Sequence, residues 1–241
     1  MKTVAFIPIK MNNERTPGKN TKRFYNGKCI LEIIQETLME VKGLDEVYVF
    51  CSNDAIKEYI IDGVKFLKRP EFLDTKTATP NDIINEFMKL VDADIYMVSH
   101  ATSPFVSLEH FEECINAVVS GEYDSSFTAE KIQKLLWTKN NTPFNFDPEN
   151  VPRTQDLEPI FDEVSAAYVF AKKTFLKYNR RIGINPHLTI VSGVECVDID
   201  YPEDLQIAEA VYKEIINKEQ WYKWVIIMQN YWIVHWEMEH I

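Results

Sequence analysis

Lys10, Arg15, Lys19, Lys22 and Arg23 crowd into one short stretch directly behind an apolar segment, TVAFIPI, in a chain whose formal net charge is −11. Clustered Lys and Arg side chains pair naturally with phosphate oxygens. Glu14 offsets one of the five cations, and the remaining four roughly match the charge of a nucleoside triphosphate. The alternative is a solvated basic surface loop. A second chemical pair lies far along the chain: Asp198 and Asp200, in VDID. Residues two apart on a strand point to the same face, so both carboxylates would share a side. Oxygen ligands placed this way at a strand end suit Mg²⁺, which keeps several waters and shares phosphate oxygens. The competing reading has the two acids capping the next helix, since Asp200 precedes Pro202 and Glu203.

Two familiar phosphate loops are excluded. GxGxxG and GxxxxGK[ST] both need glycines that let backbone amides approach the phosphate. This chain has 7 Gly, with Gly18 alone inside the cationic stretch. Side chains must therefore supply the neutralising charge.

Strand-like and helix-like segments alternate around these residues, the pattern of a parallel sheet with helices on both faces. TVAFIPI reads as a buried strand and CILEIIQETLMEV as a helix placing Ile30, Ile33, Ile34, Leu38 and Val41 on one face. EVYVFCS and VKFL are further strands. TPNDIINEFMKLV begins as a helix should, with Thr79 as cap, Pro80 at the first helical position and Asp82 in the positively polarised first turn. DIYMVSH is a strand, SLEHFEECINAVV an amphipathic helix capped by Ser107, and VSAAYVFA, VECVDID and PEDLQIAEAVYKEII continue the alternation. The predicted fold is α/β, a Rossmann-like three-layer sandwich with a mostly parallel sheet. A loop leaving the C-terminal end of its first strand is where such sheets bind ligands. From YDSSFTAE to NFDPENVPRTQDLEP the period is lost, which predicts an extended arm or hairpin outside the main sheet, roughly residues 131–160.

At 241 residues and 46% hydrophobic content the chain can bury a full core. One domain over 1–218 is expected, followed by an aromatic tail over 219–241. That tail carries Trp221, Trp224, Trp232 and Trp236, and it reads as packing against the core or a partner subunit in preference to a membrane surface. An acidic balance argues against non-specific nucleic-acid binding. Cys29, Cys51, Cys114 and Cys196 form neither a zinc pattern nor a disulfide framework. No run approaches the roughly 18 apolar residues of a membrane span, so a cytoplasmic protein without stable membrane insertion is expected.

IPIKMNNERTPGKN resembles the opening motif of the cytidylyltransferases that activate 2-keto-3-deoxy sugar acids, the CMP-sialic acid and CMP-octulosonate synthetases. Lys10 stands where that family usually has Arg and Asn13 where it usually has Ser. Lys19 and Asn20 match the Lys-Asn pair of the sialic acid branch, whereas Arg15 and Pro17-Gly18-Lys19 look more like the octulosonate branch. KRPEFLDTKTATPNDII, ATSPFVS, PRTQDLEP and RIGINPHLTIVSGVECVDIDYPEDLQIAE are similar to further family segments, in order, from residue 4 to about residue 212.

The resemblance implies transfer of CMP from CTP to the anomeric hydroxyl of an acidic sugar, with pyrophosphate released, for capsule, lipopolysaccharide or glycan assembly. It implies Mg²⁺ on Asp198 and Asp200, and Lys10, Arg15 and Lys19 on the triphosphate. Asn13 and Asn20 would join the nucleotide site, and Arg69, Ala78 and Thr79 would line the base pocket with the backbone around Pro8 and Ile9. On the acceptor side it implies His100, where the family commonly has Gln, together with Thr102 and Ser103 of the ATSPF segment. Gln155 and Asp156 would contact the acceptor or serve a homodimer interface, which this family builds from the middle arm. Val164 and Ser165 replace the usual Asn-Gly and would reshape the acceptor pocket. These departures leave open a different acid, a sugar phosphate, or a nucleotide-binding paralogue without catalysis.

Overall fold

TVAFIPI reads as a continuous apolar run because Thr3–Ile9, strand β1, has neighbours on both edges and cores on both faces. Its alternate side chains divide between two hydrophobic clusters. Ala5, Ile7 and Ile9 enter one, while Val4 and Phe6 enter the other. The computed structural model describes residues 1–217, so the tail expected over 219–241 lies outside the described residues.

The remaining elements are α1 (Ile30–Glu40), β2 (Glu46–Cys51), β3 (Lys65–Lys68), α2 (Pro80–Leu90), β4 (Ile95–Ser99), α3 (Leu108–Val119), β5 (Ser125–Ile132), β6 (Ile160–Ala171), α4 (Lys172–Tyr178), β7 (Pro186–Val191) and α5 (Pro202–Val211). The seven strands form one sheet in the order β3-β2-β1-β4-β6-β5-β7. All pairs are parallel except those of β6, which runs against β4 and β5. Helices α1, α3 and α5 cover one face, where Ile30, Ile34, Phe111, Ile115, Leu205 and Ala208 are buried. Helices α2 and α4 cover the other with Ile84, Phe87 and Phe175. Phe6 stacks on Phe87 at a centroid distance of 4.0 Å, locking β1 to α2. The expected three-layer α/β architecture is the one present.

Thr79 caps α2 as read, its hydroxyl accepting the Asp82 amide while the Asp82 carboxylate takes the Thr79 amide in return. Ser107 stands at the start of α3, but its hydroxyl meets His110 Nδ1 at 3.1 Å in place of the helix backbone.

Two expectations are corrected. The irregular middle begins later than its pattern implies, because Ser125–Ile132 is a strand inside the sheet. Its buried Ser125, Ser126 and Thr128 disguise it as polar, and Ser126 satisfies itself on the Cys114 carbonyl at 2.6 Å. VECVDID is not a strand: Gly193–Cys196 is a short 3₁₀ turn, and residues 197–200 are irregular chain leading to α5. The same-face argument for Asp198 and Asp200 therefore does not apply.

Between β5 and β6, residues 133–159 lie outside the sheet, with a bridge between Trp137 and Pro143 and one 3₁₀ turn at Thr154–Asp156. Trp137, Phe144 and Val151 are exposed there. Among the described residues, no helix is long and apolar enough to cross a membrane.

Candidate active site

Lys19 is a buried lysine, 8% exposed, and such a charge persists only where it is paired. Its Nζ donates to the Ile199 carbonyl and to Asp200 Oδ1, the latter at 3.2 Å. The loop that carries it leaves β1 after Ile9 and turns at Gly18, whose φ of +73° is the left-handed conformation glycine tolerates. The Thr16 hydroxyl pins this loop to the Asp200 carbonyl at 2.8 Å. Arg15 adds a two-pronged ion pair, Nη1 to Asp200 Oδ2 at 2.8 Å and Nη2 to Oδ1 at 2.9 Å. The cationic loop and the acids near residue 200 thus meet in space.

The helix-cap reading of the acids is resolved for Asp200. Asp204 accepts the amides of Asp200 and Tyr201 at 3.0 and 2.7 Å, which does the capping and leaves the Asp200 carboxylate to Arg15 and Lys19. Ile199, between the two acids, donates its amide to the Thr102 carbonyl at 2.9 Å and so ties this segment to the end of β4. Asp198 is exposed as a residue, yet its carboxyl lies against Thr102. Desolvation raises its proton affinity above the usual carboxylate range; Thr102 opposes this, the Asp200 charge adds to it, and Lys19 opposes it.

The other loop charges are distributed differently from the simple count. Glu14 pairs with Lys76 at 3.0 Å, outside the loop, and Arg23 is drawn to Glu32 at 3.1 Å. Lys22 is exposed. Among the described residues Lys10 makes no ion pair; its carbonyl accepts from Asn13 and Asn20 at 3.0 and 3.4 Å.

A cavity of about 330 Å³ opens beside this loop, within the range of small-ligand sites. Pro8, Ile9, Lys10, Asn13, Lys19, Asn20, Arg69, Ala78, His100 and Thr102 line it, which gathers most of the residues singled out from the sequence. Arg69 is 3% exposed and tied to Asp74, and its Nε has no hydrogen-bond partner. It is an ion pair, as one sequence reading allowed, but a buried one. His100 also faces the cavity. Burial lowers its pKa to about 4, with the Arg181 and Lys19 charges pushing the same way, so the ring is neutral.

Other candidates do not join the cavity. Thr79 is exposed and spends its side chain on the α2 cap. Ser103 is fully buried, with an unpartnered hydroxyl, and does not line the cavity. Gln155 and Asp156 sit exposed on the segment between β5 and β6, where Asp156 pairs with Arg153 at 2.7 Å. Val164 packs into the core and so does not shape the cavity wall. Sequence reasoning missed Arg181, which lines the cavity. Nothing in NRRIG distinguishes it from Arg180, and only the fold turns one of the two inward.

Residues 4–225 match the family model described as cytidylyltransferase. The chain is 24% identical over 187 residues to an N-acylneuraminate cytidylyltransferase of Streptococcus agalactiae serotype V, covering 73% of this chain and 45% of that protein. It thus spans less than half the length of that curated relative. It is 26% identical over 243 residues to 3-deoxy-manno-octulosonate cytidylyltransferase 2 of Hydrogenovibrio crunogenus, covering 92% and 91% of the two chains. In fold it is similar to a CMP:2-keto-3-deoxy-manno-octonic acid synthetase solved in complex with CTP, with a TM-score of 0.69 at 18% identity over 89% of this chain and 99% of that one. By the match of its sequence across nearly the whole described chain, this protein belongs to the cytidylyltransferase family.

Proposed function

We propose that this protein transfers CMP from CTP to a hydroxyl of a 2-keto-3-deoxy sugar acid and releases pyrophosphate, yielding an activated sugar for surface-glycan assembly. The observation that carries the reading is the meeting of Arg15 and Lys19 with Asp200, joined through Lys19 to a small-ligand cavity that Lys19 lines and that Arg15 and Asp200 themselves do not. Names of the relatives point to the same acceptor class, since they act on acylneuraminate and octulosonate.

In this reading the acceptor oxygen attacks the α-phosphorus, the bond to the β-phosphate oxygen breaks, and one carboxylate of the Asp198–Asp200 pair takes the hydroxyl proton. Lys10, Arg15 and Lys19 neutralise the triphosphate and the departing pyrophosphate, where charge develops. Arg69, with a free Nε, reads the base together with Ala78 and the backbone at Pro8 and Ile9. Asn13 and Asn20 hold the Lys10 backbone in place. His100 and Thr102 face the acceptor.

Mg²⁺ fits the acidic pair. Among the described residues no group of three or more His, Cys, Asp or Glu side chains would cage a metal, but two carboxylates suit an ion that completes its shell with phosphate oxygens and water. Desolvation, with the Asp200 charge adding to it, raises the proton affinity of Asp198, and a cation bound there would relieve this. When bound, the ion supplies charge neutralisation on the reacting phosphates.

We further place a homodimer contact on residues 133–159, which expose Trp137 at 59% and Phe144 at 63%. The domain of 1–218 would then carry the whole site. The test of the function is pyrophosphate release from CTP and Mg²⁺ with a panel of sugar acids. Release with at least one acid is expected, and release with none, under conditions where CTP binds, removes the proposal.

A further inference from the structure

Resting on the acidic-sugar reading just given, we propose that Arg181 is the specificity-determining residue that receives the acceptor's carboxylate. Arg181 lines the cavity from the loop between α4 and β7, an element separate from the loop that carries Lys10 and Lys19. Its guanidinium carbon stands 3.4 Å from the centroid of the Tyr168 ring, and its side chain is 20% exposed. Among the described residues its one ion pair is with Glu163, at 3.9 Å, beyond hydrogen-bond distance. That same Glu163 oxygen already accepts the Tyr168 hydroxyl at 2.9 Å. Arg181 is therefore a largely desolvated cation held by an aromatic face, with its planar donor fork uncommitted to a close acid.

The other cations of the cavity differ. Arg69 is bound to Asp74 and Lys19 to Asp200 and Ile199, and Lys10 sits on the triphosphate loop itself. His100 lines the cavity too, its ring 6.1 Å from that of Tyr168. An anion entering there meets a neutral ring and one arginine fork, a geometry that selects a planar carboxylate held by two parallel hydrogen bonds.

Arg181 is also fixed in place, which separates it from an ordinary surface arginine. Upstream, Asn179 adopts φ of +49° and its carbonyl accepts from Asn81 at 2.7 Å. Downstream, Ser125 Oγ accepts the Gly183 amide at 2.8 Å, and the Asp124 carboxylate accepts those of Ile184 and Asn185 at 2.8 and 3.2 Å. A Cβ on Gly183 would stand 2.2 Å from Asp124, so this close clamp requires glycine. This anchored backbone and the Tyr168 ring under the guanidinium together lower the ordering cost of binding.

The test uses the full chain. CTP·Mg²⁺ affinity is measured by calorimetry, and KM is measured for N-acetylneuraminate, 3-deoxy-manno-octulosonate and the carboxamide of whichever acid is turned over. Arg181→Gln should raise the KM of the acid about tenfold or more and leave the CTP affinity within about twofold, and Arg181→Lys should restore the acid only partly because it lacks the fork. The carboxamide should be equally poor for wild type and Arg181→Gln. An unchanged acid KM in a folded Arg181→Gln enzyme, or an equal loss of CTP affinity, overturns the assignment while leaving the proposed function standing. Failure of the wild type to use any sugar acid overturns both.

Discussion

Arg15 grips both carboxylate oxygens of Asp200, at 2.8 and 2.9 Å, across a sequence separation of 185 residues. A single surface ion pair of this kind contributes little to stability. Its value is geometric, because with Lys19 and Thr16 it fastens the loop after β1 to the segment before α5 and so assembles cations and acids beside one cavity.

Lys19 serves this junction from the inside. Lys19→Ala should lower turnover by about 10²- to 10³-fold, the scale for loss of one donor to developing charge, about 2.7–4 kcal/mol. Because the amine also satisfies the Ile199 carbonyl, stability should fall by about 1–3 kcal/mol as well. Steady-state kinetics and urea unfolding on the same variant separate the two effects. Near-normal turnover would remove Lys19 from the site.

Arg69 and Asp74 form a buried pair that breaks asymmetrically. Asp74→Ala leaves a guanidinium at 3% exposure without its acid, and should cost about 3–5 kcal/mol. Arg69→Met should cost less in stability but should weaken CTP binding and preference over UTP. Thermal melts with and without each nucleotide read both outcomes. Equal stabilisation of wild type and Arg69→Met by CTP would exclude Arg69 from base recognition.

His100 makes stability depend on acid. Its folded pKa is about 4 against 6.5 in the open chain, so between these values the unfolded state takes a proton that the folded state refuses. The stability His100 confers is complete above pH 6.5 and is lost as pH falls toward 4. Between pH 7 and pH 4.5 the wild type should lose about 1–3 kcal/mol more than His100→Gln. Parallel pH profiles for the two proteins would show that the ring is not held neutral.

Exposed aromatics on residues 133–159 bear on assembly. The wild type should sediment as a dimer and a Trp137→Ser, Phe144→Ser double variant as a folded monomer, since both side chains are more than half exposed and their loss removes little core packing. Dimerisation unaffected by the pair would move the interface elsewhere.

Much of this arrangement is legible in the residues themselves. The continuous apolar run of β1, the Thr79-Pro80-Asp82 start of α2 and the cationic stretch after Ile9 each follow from local rules, and local rules placed them correctly. What failed involved long-range satisfaction. Ser125, Ser126 and Thr128 look like loop residues until their hydroxyls find buried partners or sheet neighbours, and VDID looks like a strand until the Thr102 carbonyl takes the Ile199 amide and the Asp204 carboxylate that of Asp200. Arg181 was invisible for the same reason. Its meaning comes from Tyr168 and from the clamp around Gly183, neither of which is near in pattern.

The most direct measurement is the rate of pyrophosphate release from CTP, Mg²⁺ and the preferred sugar acid by wild type and by Asp200→Asn, each titrated with Mg²⁺. The wild type should depend on the ion, and Asp200→Asn should fall by about 10²-fold or more while staying folded, because Asp204 and Thr16 still hold the backbone at residue 200, although its melting temperature should drop because the buried Lys19 loses its acid. Wild-type turnover that ignores Mg²⁺, or an Asp200→Asn enzyme as fast as wild type, would contradict the account.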